Sequence, residues 1–172
     1  MEPDVQPEEL RALQAPLKEA YRTAPERAMV TLRASGSLDE TAISCHVETG
    51  RALVAAGLHP ATGGTGLLAC SGDLLLQALV ACAGVTLRAV ATALAIPVRG
   101  GDVRAEGDLD FRGTLGVSKE AWVGFRAIRL SFTLDTDADA EQLATLEKLT
   151  ERYCVVLQTL RTPPVVSVQT ST

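Results

Sequence analysis

Aromatic residues are scarce in this sequence, with three Phe, two Tyr and one Trp among 172 residues. A surface for single-stranded nucleic acid, which needs aromatic side chains for base stacking, is therefore not expected. An excess of positive charge is also missing, because 16 basic residues stand against 21 acidic ones, for a net charge of −5. This acidic balance argues against nucleic acid or an anionic membrane surface as the main partner.

The residue sets of common metal and phosphate sites are missing as well. The sequence has two histidines and no Cys-x-x-Cys pair, which makes a tetrahedral zinc site a weak hypothesis. Cys45 and His46 are neighbours in a predicted strand, so their side chains would point to opposite faces. The glycine-rich residues 63–66 have neither the lysine of a P-loop nor the spacing of a dinucleotide-binding loop. We therefore expect no cofactor and no metal.

A basic and apolar leader is absent from the first residues, which read Met-Glu-Pro-Asp-Val-Gln-Pro-Glu-Glu. A cytoplasmic protein is therefore expected. In that compartment the four cysteines are reduced thiols with a function or small core residues, and structural disulfides are not expected.

Apolar residues, in contrast, are plentiful, at 47% of the chain, which predicts a single domain with a substantial core. Its centre is a stretch rich in Leu and Ala, residues 73–94, which predicts one long helix. Ser71 and Asp73 supply the start signal, and Pro97 supplies the stop because the residue before a proline avoids the helical region. Cys82 lies in the middle of this helix.

This helix is long enough to span a membrane, but its polar residues argue against that. Gln77, Thr86, Arg88 and Thr92 interrupt the apolar run. An arginine near the centre of a bilayer costs roughly 2.5 to 3.5 kcal/mol on insertion scales. Because the helix is apolar nearly all round, we expect a core helix that is surrounded by protein.

The remaining elements follow from periodicity. Alternating residues predict strands and spacings of three and four predict helices. Helices are expected over residues 7–23, where Pro16 would kink or split the helix, and 139–160. Three short strands are expected at residues 29–34, 41–48 and 51–55, with loops at 36–40 and 49–50 between them. Further strands are expected over 98–111 and 122–134, and as a closing strand at 165–169. Strands and helices are segregated along the chain, which favours an α+β fold. Three acidic residues, Asp135, Asp137 and Asp139, are expected to cap the last long helix, because they lack the pattern of a calcium loop.

The cysteines and their neighbours resemble a known family. The segment from Gly63-Gly64 through Ser71-Gly-Asp-Leu-Leu-Leu-Gln-Ala-Leu-Val-Ala-Cys82 to Thr86 is similar to the signature of the OsmC/Ohr family of thiol peroxidases. Its signature has a glycine pair before Ser-Pro-Glu-Leu-Leu-Leu-x-Ala-Leu-x-x-Cys-x-x-x-Thr. A later segment that ends in Tyr-Cys154-Val-Val resembles the family's helix with Cys-Pro-Val. The similarity extends over roughly residues 29–169, so we divide the chain into an N-terminal helical extension, residues 1–26, and an OsmC-like α+β domain, residues 27–172.

The resemblance implies a hydroperoxide reductase with two cysteines. By position, Cys82 matches the peroxidatic cysteine, Cys154 the resolving cysteine and Asp73 the family's glutamate. The expected fold has antiparallel sheets wrapped around two long central helices in an intertwined homodimer, with the active sites at the subunit interface. Organic or fatty-acid hydroperoxides, or hydrogen peroxide in some branches, are the expected substrates, and a lipoylated protein or a thioredoxin-like dithiol is the expected reductant.

Physical chemistry explains these residue types. A thiolate attacks the peroxide, and a second thiol then closes a disulfide before the sulfur is oxidised irreversibly. Because an apolar helix alone raises a thiol's pKa, a nearby cation is expected. The resemblance implies an arginine from the segment before the central helix, for which Arg51 is the first candidate and Arg33 the second. Cys70 is an alternative resolving thiol or a coincidence. Val155 stands where the family has proline, and Asp73 is shorter than glutamate. A second hypothesis is an OsmC-like protein that binds a small apolar ligand without turnover.

Overall fold

The structure is a computed structural model and describes residues 7–38, 45–47 and 56–170. Within these residues the helices are α1 (Pro7–Thr23), α2 (Ser71–Ala93), α3 (Phe111–Thr114), α4 (Ala140–Tyr153) and α5 (Val155–Arg161). The strands are β1 (Met29–Leu38), β2 (Cys45–Val47), β3 (Ala56–Gly57), β4 (Ala69–Cys70), β5 (Val98–Asp110) and β6 (Ala127–Thr136). Helices and an antiparallel sheet make a mixed α+β fold, as the segregated pattern predicts.

The main sheet has four strands in the order β2-β1-β5-β6. Strand β1 pairs with β2 in antiparallel register, with Gly36 opposite Val47 and Leu38 opposite Cys45. Strands β3 and β4 form a separate two-residue parallel pair. Since β4 leads directly into α2, this small pair fixes the chain just before the central helix.

The chain is divided into two compact units. The first contains residues 1–35, 48–77 and 104–131, and the second contains residues 36–47, 78–103 and 132–172. Buried residues of the first unit include Tyr21, Leu76 and Phe111. Buried residues of the second unit include Leu87 and Leu146. Each unit therefore has apolar side chains of its own that exclude water.

Helix α2 ends in a Schellman motif at Ala93, one residue before the predicted end at residue 94. The amide of Ile96 donates to the carbonyl of Ala91 at 2.9 Å, and the amide of Ala95 donates to that of Thr92 at 3.2 Å. This motif needs a left-handed residue after the helix, and Ala95 takes that conformation with φ 53°. The helix therefore ends on an alanine where glycine is the usual residue.

The apolar surface of α2 is not covered all round in the single chain. One face is buried, including Leu79, Ala83 and Leu87. On the other face Leu75 and Val85 are 38% and 40% exposed. In the part of the chain that the structure describes, α2 is the one helix that is long and apolar enough to cross a membrane. That property is weak evidence for a span, because the core helix of a soluble protein passes the same test.

Polar residues near α2 and α4 explain how these helices are held. Arg88, although buried, donates to the carbonyl of Val98. Asp139 caps α4 through a reciprocal capping box with Gln142, which confirms the predicted capping role. Asp135 and Asp137 instead pair with Arg99, so the expectation that they cap the helix is wrong.

Several predicted element boundaries are wrong. Strand β1 continues to Leu38, through residues expected to form a loop, and α1 continues through Pro16. The expected strand at residues 122–134 begins only at Ala127. Residues 163–170 form no strand and are exposed, so the closing strand is not formed within this chain. The strand expected at residues 51–55 lies outside the described residues.

Candidate functional site

A break in the last predicted long helix sets the position of Cys154. The spacing of leucines predicts one helix over residues 139–160, but the backbone of Cys154 is extended, with φ −71° and ψ 105°. Cys154 thus ends α4 and begins α5. The expectation of one continuous helix is therefore wrong. The sequence does not indicate the junction, because no proline or glycine lies there.

This junction directs unpaired backbone amides toward the sulfurs. The first amides of a helix have no partner within it, and α5 begins directly after Cys154. The amides of Val155 and Val156 donate to the sulfur of Cys82, and the amides of Val156 and Leu157 donate to that of Cys154. The break therefore supplies donors that a continuous helix would have used internally.

The structure brings Cys82 and Cys154 together. The thiol of Cys154 donates a hydrogen bond to the sulfur of Cys82. Thr86, one helical turn after Cys82 on α2, donates its hydroxyl to the same sulfur. Cys154 is fully buried, whereas Cys82 is partly accessible. The two thiols, 72 positions apart in the sequence (154 minus 82), are thus neighbours in the folded chain.

The two thiols differ in acidity. Burial raises the pKa of Cys82, but the amides of Val155 and Val156, the Cys154 thiol and the Thr86 hydroxyl together bring it below its ordinary value. Burial and the neighbouring Cys82 sulfur raise the pKa of Cys154 to about 11. The more accessible sulfur is therefore the one that more readily becomes a thiolate, which is the nucleophilic form.

Asp73 lies elsewhere on α2. It occupies the first turn, and the nine residues (82 minus 73) that separate it from Cys82 make two and a half turns, or about 13.5 Å along the axis. The two side chains therefore leave the helix on opposite faces. Burial raises the pKa of Asp73, and the nearby His59 opposes that rise. Burial in turn lowers the pKa of His59, and the nearby carboxylate of Asp73 opposes that decrease.

His59 is fixed by the loop that precedes α2. Its Nδ1 accepts from the amide of Ala61 at 3.0 Å, so the neutral ring carries its proton on Nε2. The ring stacks on Phe111 with centroids 4.9 Å apart. Tyr21 fixes the same loop by donating to the carbonyl of Ala61 at 2.8 Å.

The glycines of this loop have specific structural roles. Gly63 is left-handed, with φ 92°, and Gly64 lies so close to Leu58 that a Cβ would meet its carbonyl oxygen at 1.7 Å. The glycine pair that resembles the family signature therefore allows a tight turn. That turn positions His59 and leads toward α2.

The expected cation beside Cys82 is not among the described groups that shift its pKa. Arg51 and the side chain of Arg33 lie outside the described residues, so both stay candidates. Among the described groups, neutral donors lower the pKa of Cys82. Cys70, a free and half-buried cysteine, ends β4, and Cys45 begins β2 opposite Leu38.

Sequence reasoning missed three contributors to the site. Thr86 stands in the signature but received no role, although its i+4 spacing from Cys82 was available as a signal. The amides after Cys154 have no signal in the sequence, because the helix break that frees them is not encoded by a helix-breaking residue. His59 precedes the glycine-rich residues, and no pattern in the sequence indicates that it lies near Asp73. Among the described residues, no cluster of three or more His, Cys, Asp or Glu side chains suited to a metal is present.

Comparison with known proteins agrees with the sequence signature. A family model described as OsmC-like protein matches residues 64–169. The fold is similar to the crystal structure of an OsmC-like hydroperoxide resistance protein from Jannaschia sp. CCS1, with a TM-score of 0.60 and 16% identity. The similarity covers 84% of this chain and 95% of that chain, and at this identity it shows the fold alone. No curated protein sequence matches the chain.

Proposed function

Because the chain belongs to the OsmC-like protein family, we propose that it is a cysteine-based peroxidase that reduces organic hydroperoxides, or hydrogen peroxide. The observation that carries this proposal is the hydrogen bond between Cys82 and Cys154. The peroxide-related function that the family suggests needs such a pair, because one sulfur must attack and the other must follow.

Cys82 is the attacking residue in this proposal. Its thiolate attacks the hydroxyl oxygen of the hydroperoxide, a sulfur–oxygen bond forms as the O–O bond breaks, and Cys82 becomes a sulfenic acid. The other oxygen takes a proton and leaves as an alcohol, or as water from hydrogen peroxide. Thr86 and the amides of Val155 and Val156, which donate to the sulfur, stabilise the thiolate before attack.

Cys154 closes the cycle. Its thiol condenses with the sulfenic acid, a sulfur–sulfur bond forms, and the hydroxyl leaves as water with the Cys154 proton. A raised pKa, about 11, keeps Cys154 protonated until Cys82 has reacted. An external dithiol, such as a lipoylated protein or a thioredoxin-like protein, then reduces the disulfide to two thiols by exchange.

Apolar surroundings of the thiols favour an organic substrate. Val155, whose amide contacts the Cys82 sulfur, is 71% exposed, and Tyr153 is 56% exposed. Val85, which follows Cys82 by three residues on α2, is also exposed. An apolar rim around a polar reacting centre is the usual composition of a site for a small organic molecule.

We also propose that the functional form is a cytoplasmic homodimer. The exposed apolar face of α2, which includes Leu75 and Val85, is the kind of surface that a second subunit covers. Asp73 and Cys82 leave α2 on opposite faces, so they do not meet within one protomer. A site at the subunit interface would instead place the carboxylate of one protomer beside the sulfur of the other. In this role Asp73 orients a polar partner or the hydroperoxide itself.

Steady consumption of an organic hydroperoxide by the purified protein with an excess of dithiol tests this function. The parent protein is expected to turn over, and Cys82→Ser is expected to lose activity because an alcohol is a far weaker nucleophile than a thiolate. Cys70→Ser is the matched control and is expected to keep activity. A Cys82→Ser protein as active as the parent would exclude the proposal and leave the hypothesis of a ligand-binding protein without turnover.

A further inference from the structure

Thr150, in the last turn of α4, has a buried hydroxyl without a hydrogen-bond partner. The residue is 1% exposed, and among the described residues its Oγ1 is the one buried side-chain oxygen or nitrogen that bonds to nothing. A threonine inside a helix can donate to the carbonyl four residues earlier, and Thr150 does not. Because a buried hydroxyl without a partner costs free energy, its presence calls for a functional or structural reason.

This hydroxyl lies on the same side of α4 as Cys154. The amide of Cys154 donates to the carbonyl of Thr150 at 2.9 Å, so the helix is regular up to the cysteine. Side chains four positions apart lie on one face of a helix, with their Cβ atoms about 5 to 6 Å apart. Cys154 is 0% exposed, so the two side chains are neighbours in one buried region.

Cys82 has a threonine in the corresponding place on its own helix. Thr86 lies four residues after Cys82 on α2 and donates its hydroxyl to that sulfur. Thr150 lies four residues before Cys154 and makes no such bond while both cysteines are free. One threonine hydroxyl is therefore bonded to the sulfur that ionises more readily, and the other is unbonded beside the sulfur that ionises less readily.

The protonation of Cys154 explains why the Thr150 hydroxyl is unbonded. Burial raises the pKa of Cys154 to about 11, so its sulfur is a neutral thiol and a weak acceptor. This sulfur already accepts from the amides of Val156 and Leu157 and donates to Cys82. Hydrogen bonds to an ionised group are about twice as strong as those between neutral groups. The hydroxyl therefore gains a good partner only when the sulfur acquires negative charge.

We propose that Thr150 is a catalytic residue of the resolving step, in which its hydroxyl donates to the Cys154 sulfur as that sulfur attacks Cys82. The inference rests on the proposed function, in which Cys82 has become a sulfenic acid. The sulfur–sulfur bond forms, the sulfur–oxygen bond of the sulfenic acid breaks, and the hydroxyl leaves as water with the Cys154 proton. Thr150 keeps its own proton and stabilises the negative charge that develops on the attacking sulfur.

Exchange with the aromatic disulfide DTNB tests this step without a peroxide. The full-length protein carries Cys45→Ser and Cys70→Ser, so that only Cys82 and Cys154 remain as thiols. Cys82 attacks DTNB, forms a mixed disulfide and releases one thionitrobenzoate. Cys154 then attacks the Cys82 sulfur, forms the protein disulfide and releases a second thionitrobenzoate, while its own proton goes to solvent. The first-order rate of the second release therefore measures the attack by Cys154.

Thr150→Val is expected to slow the second release by roughly threefold. Loss of one hydrogen bond to a charged sulfur lowers the thiolate fraction about tenfold, and the more basic sulfur recovers part of that loss because it is the better nucleophile. For the same reason the pH profile of the second release is expected to move to higher pH. The first release, which depends on Cys82, is expected to stay at the parent rate.

Two further variants isolate the hydroxyl. Thr150→Ser keeps it and is expected to release the second thionitrobenzoate at nearly the parent rate. Thr145→Val changes an exposed threonine of the same helix and, as the matched control, is expected to have no effect. An unchanged second release in Thr150→Val would overturn the inference. An equal loss in Thr150→Ser would also overturn it, since the missing group would then be the threonine methyl.

Thermal unfolding separates this role from a structural one. Thr150→Val replaces an unpaired buried hydroxyl by a methyl group of similar shape, so the variant is expected to have a higher Tm although it reacts more slowly. A lower Tm would show that the hydroxyl is already bonded in the reduced protein and would overturn the inference.

Hydroperoxide turnover by the parent decides the proposed function separately. If the parent consumes no hydroperoxide, that function fails, while the second release of thionitrobenzoate still decides the role of Thr150. If the parent consumes hydroperoxide and Thr150→Val keeps the parent rate of second release, the peroxidase stands and Thr150 has no part in it. A parent that releases only one thionitrobenzoate would also overturn the inference.

Discussion

Cys154 donates a hydrogen bond to the sulfur of Cys82, although the two residues lie far apart in the sequence. The contact gives the thiols unequal acidity: the pKa of Cys82 falls below its ordinary value, and that of Cys154 rises to about 11. An order of events follows from this difference, because the sulfur that ionises first attacks first.

Thr86 is expected to contribute to the reactivity of Cys82. Removing its hydroxyl in Thr86→Val takes away a donor to the sulfur, so the pKa of Cys82 should rise. Alkylation of Cys82 by iodoacetamide at neutral pH should then slow by roughly threefold to tenfold, the equivalent of one hydrogen bond. Thr92→Val, which changes an exposed threonine of the same helix, is the control and should alkylate at the parent rate.

His59 is expected to make the fold sensitive to mild acid. Burial lowers its pKa, so the unfolded chain takes up a proton at about pH 6.5, before the folded protein does. Stability is therefore full above that pH and falls as the pH drops toward the folded pKa. Thermal unfolding of His59→Gln between pH 8 and 5 should show a smaller decrease in Tm than the parent. An identical pH dependence in both proteins would contradict this expectation.

Asp110 is expected to be the strongest electrostatic contributor to stability among the described ion pairs. Its side chain is 2% exposed and accepts a hydrogen bond from Nη2 of Arg112 at 2.6 Å. The same carboxylate also caps the N-terminus of α3. Hydrogen bonds from Arg112 lower its pKa despite burial, so its stabilisation is present above about pH 4 and is lost as the pH falls through the folded value. Asp110→Asn should cost about 2 kcal/mol at pH 7.

The matched control for Asp110 is the exposed cluster around Arg99. Arg99 pairs with Asp135 and Asp137, and all three side chains are more than half exposed. Solvent screens such pairs, so Arg99→Gln should leave the Tm almost unchanged. Urea unfolding of both variants measures the difference. A larger loss for Arg99→Gln than for Asp110→Asn would contradict the assignment.

Ala95 is expected to destabilise the end of α2. Its φ of 53° is unfavourable for a residue with a Cβ, and the Schellman motif requires that conformation. Ala95→Gly should therefore stabilise the protein by about 0.5 to 1 kcal/mol, even though glycine adds entropy to the unfolded chain. A lower Tm for Ala95→Gly would show that the alanine methyl group has a packing role.

Val85 tests the proposed dimer. It is 40% exposed on the uncovered face of α2, and a charge there should prevent a second subunit from covering this face. Sedimentation velocity should show Val85→Glu as a monomer and the parent as a dimer. Ala144→Glu, on the exposed face of α4, is the control and should sediment like the parent. A parent protein that is monomeric would exclude the dimer.

The sequence predicted the parts of the fold that depend on composition and periodicity. The run of Leu and Ala around Cys82 predicted α2 to within a few residues, and Asp139 marked the start of α4. These features are local, because capping and helix propensity depend on neighbouring residues.

The features that sequence reasoning missed depend on contacts distant in sequence. The extended backbone at Cys154 is compatible with the helical spacing on both sides of it, so the pattern alone predicted one helix. The amides that this break directs to Cys82 were not expected, and the cation expected near Cys82 stays a prediction. Strand β1 includes Gly36 because it pairs with Val47, a partner that local propensity does not reveal.

Disulfide mapping after one equivalent of an organic hydroperoxide tests the central claim most directly. The reduced protein, with Cys45 and Cys70 both changed to Ser, is oxidised, digested and examined by mass spectrometry. The account predicts one linked pair of peptides, joined through Cys82 and Cys154, with two hydrogens lost. Hydroperoxide consumed without this link, or both thiols still free after exposure, would contradict it.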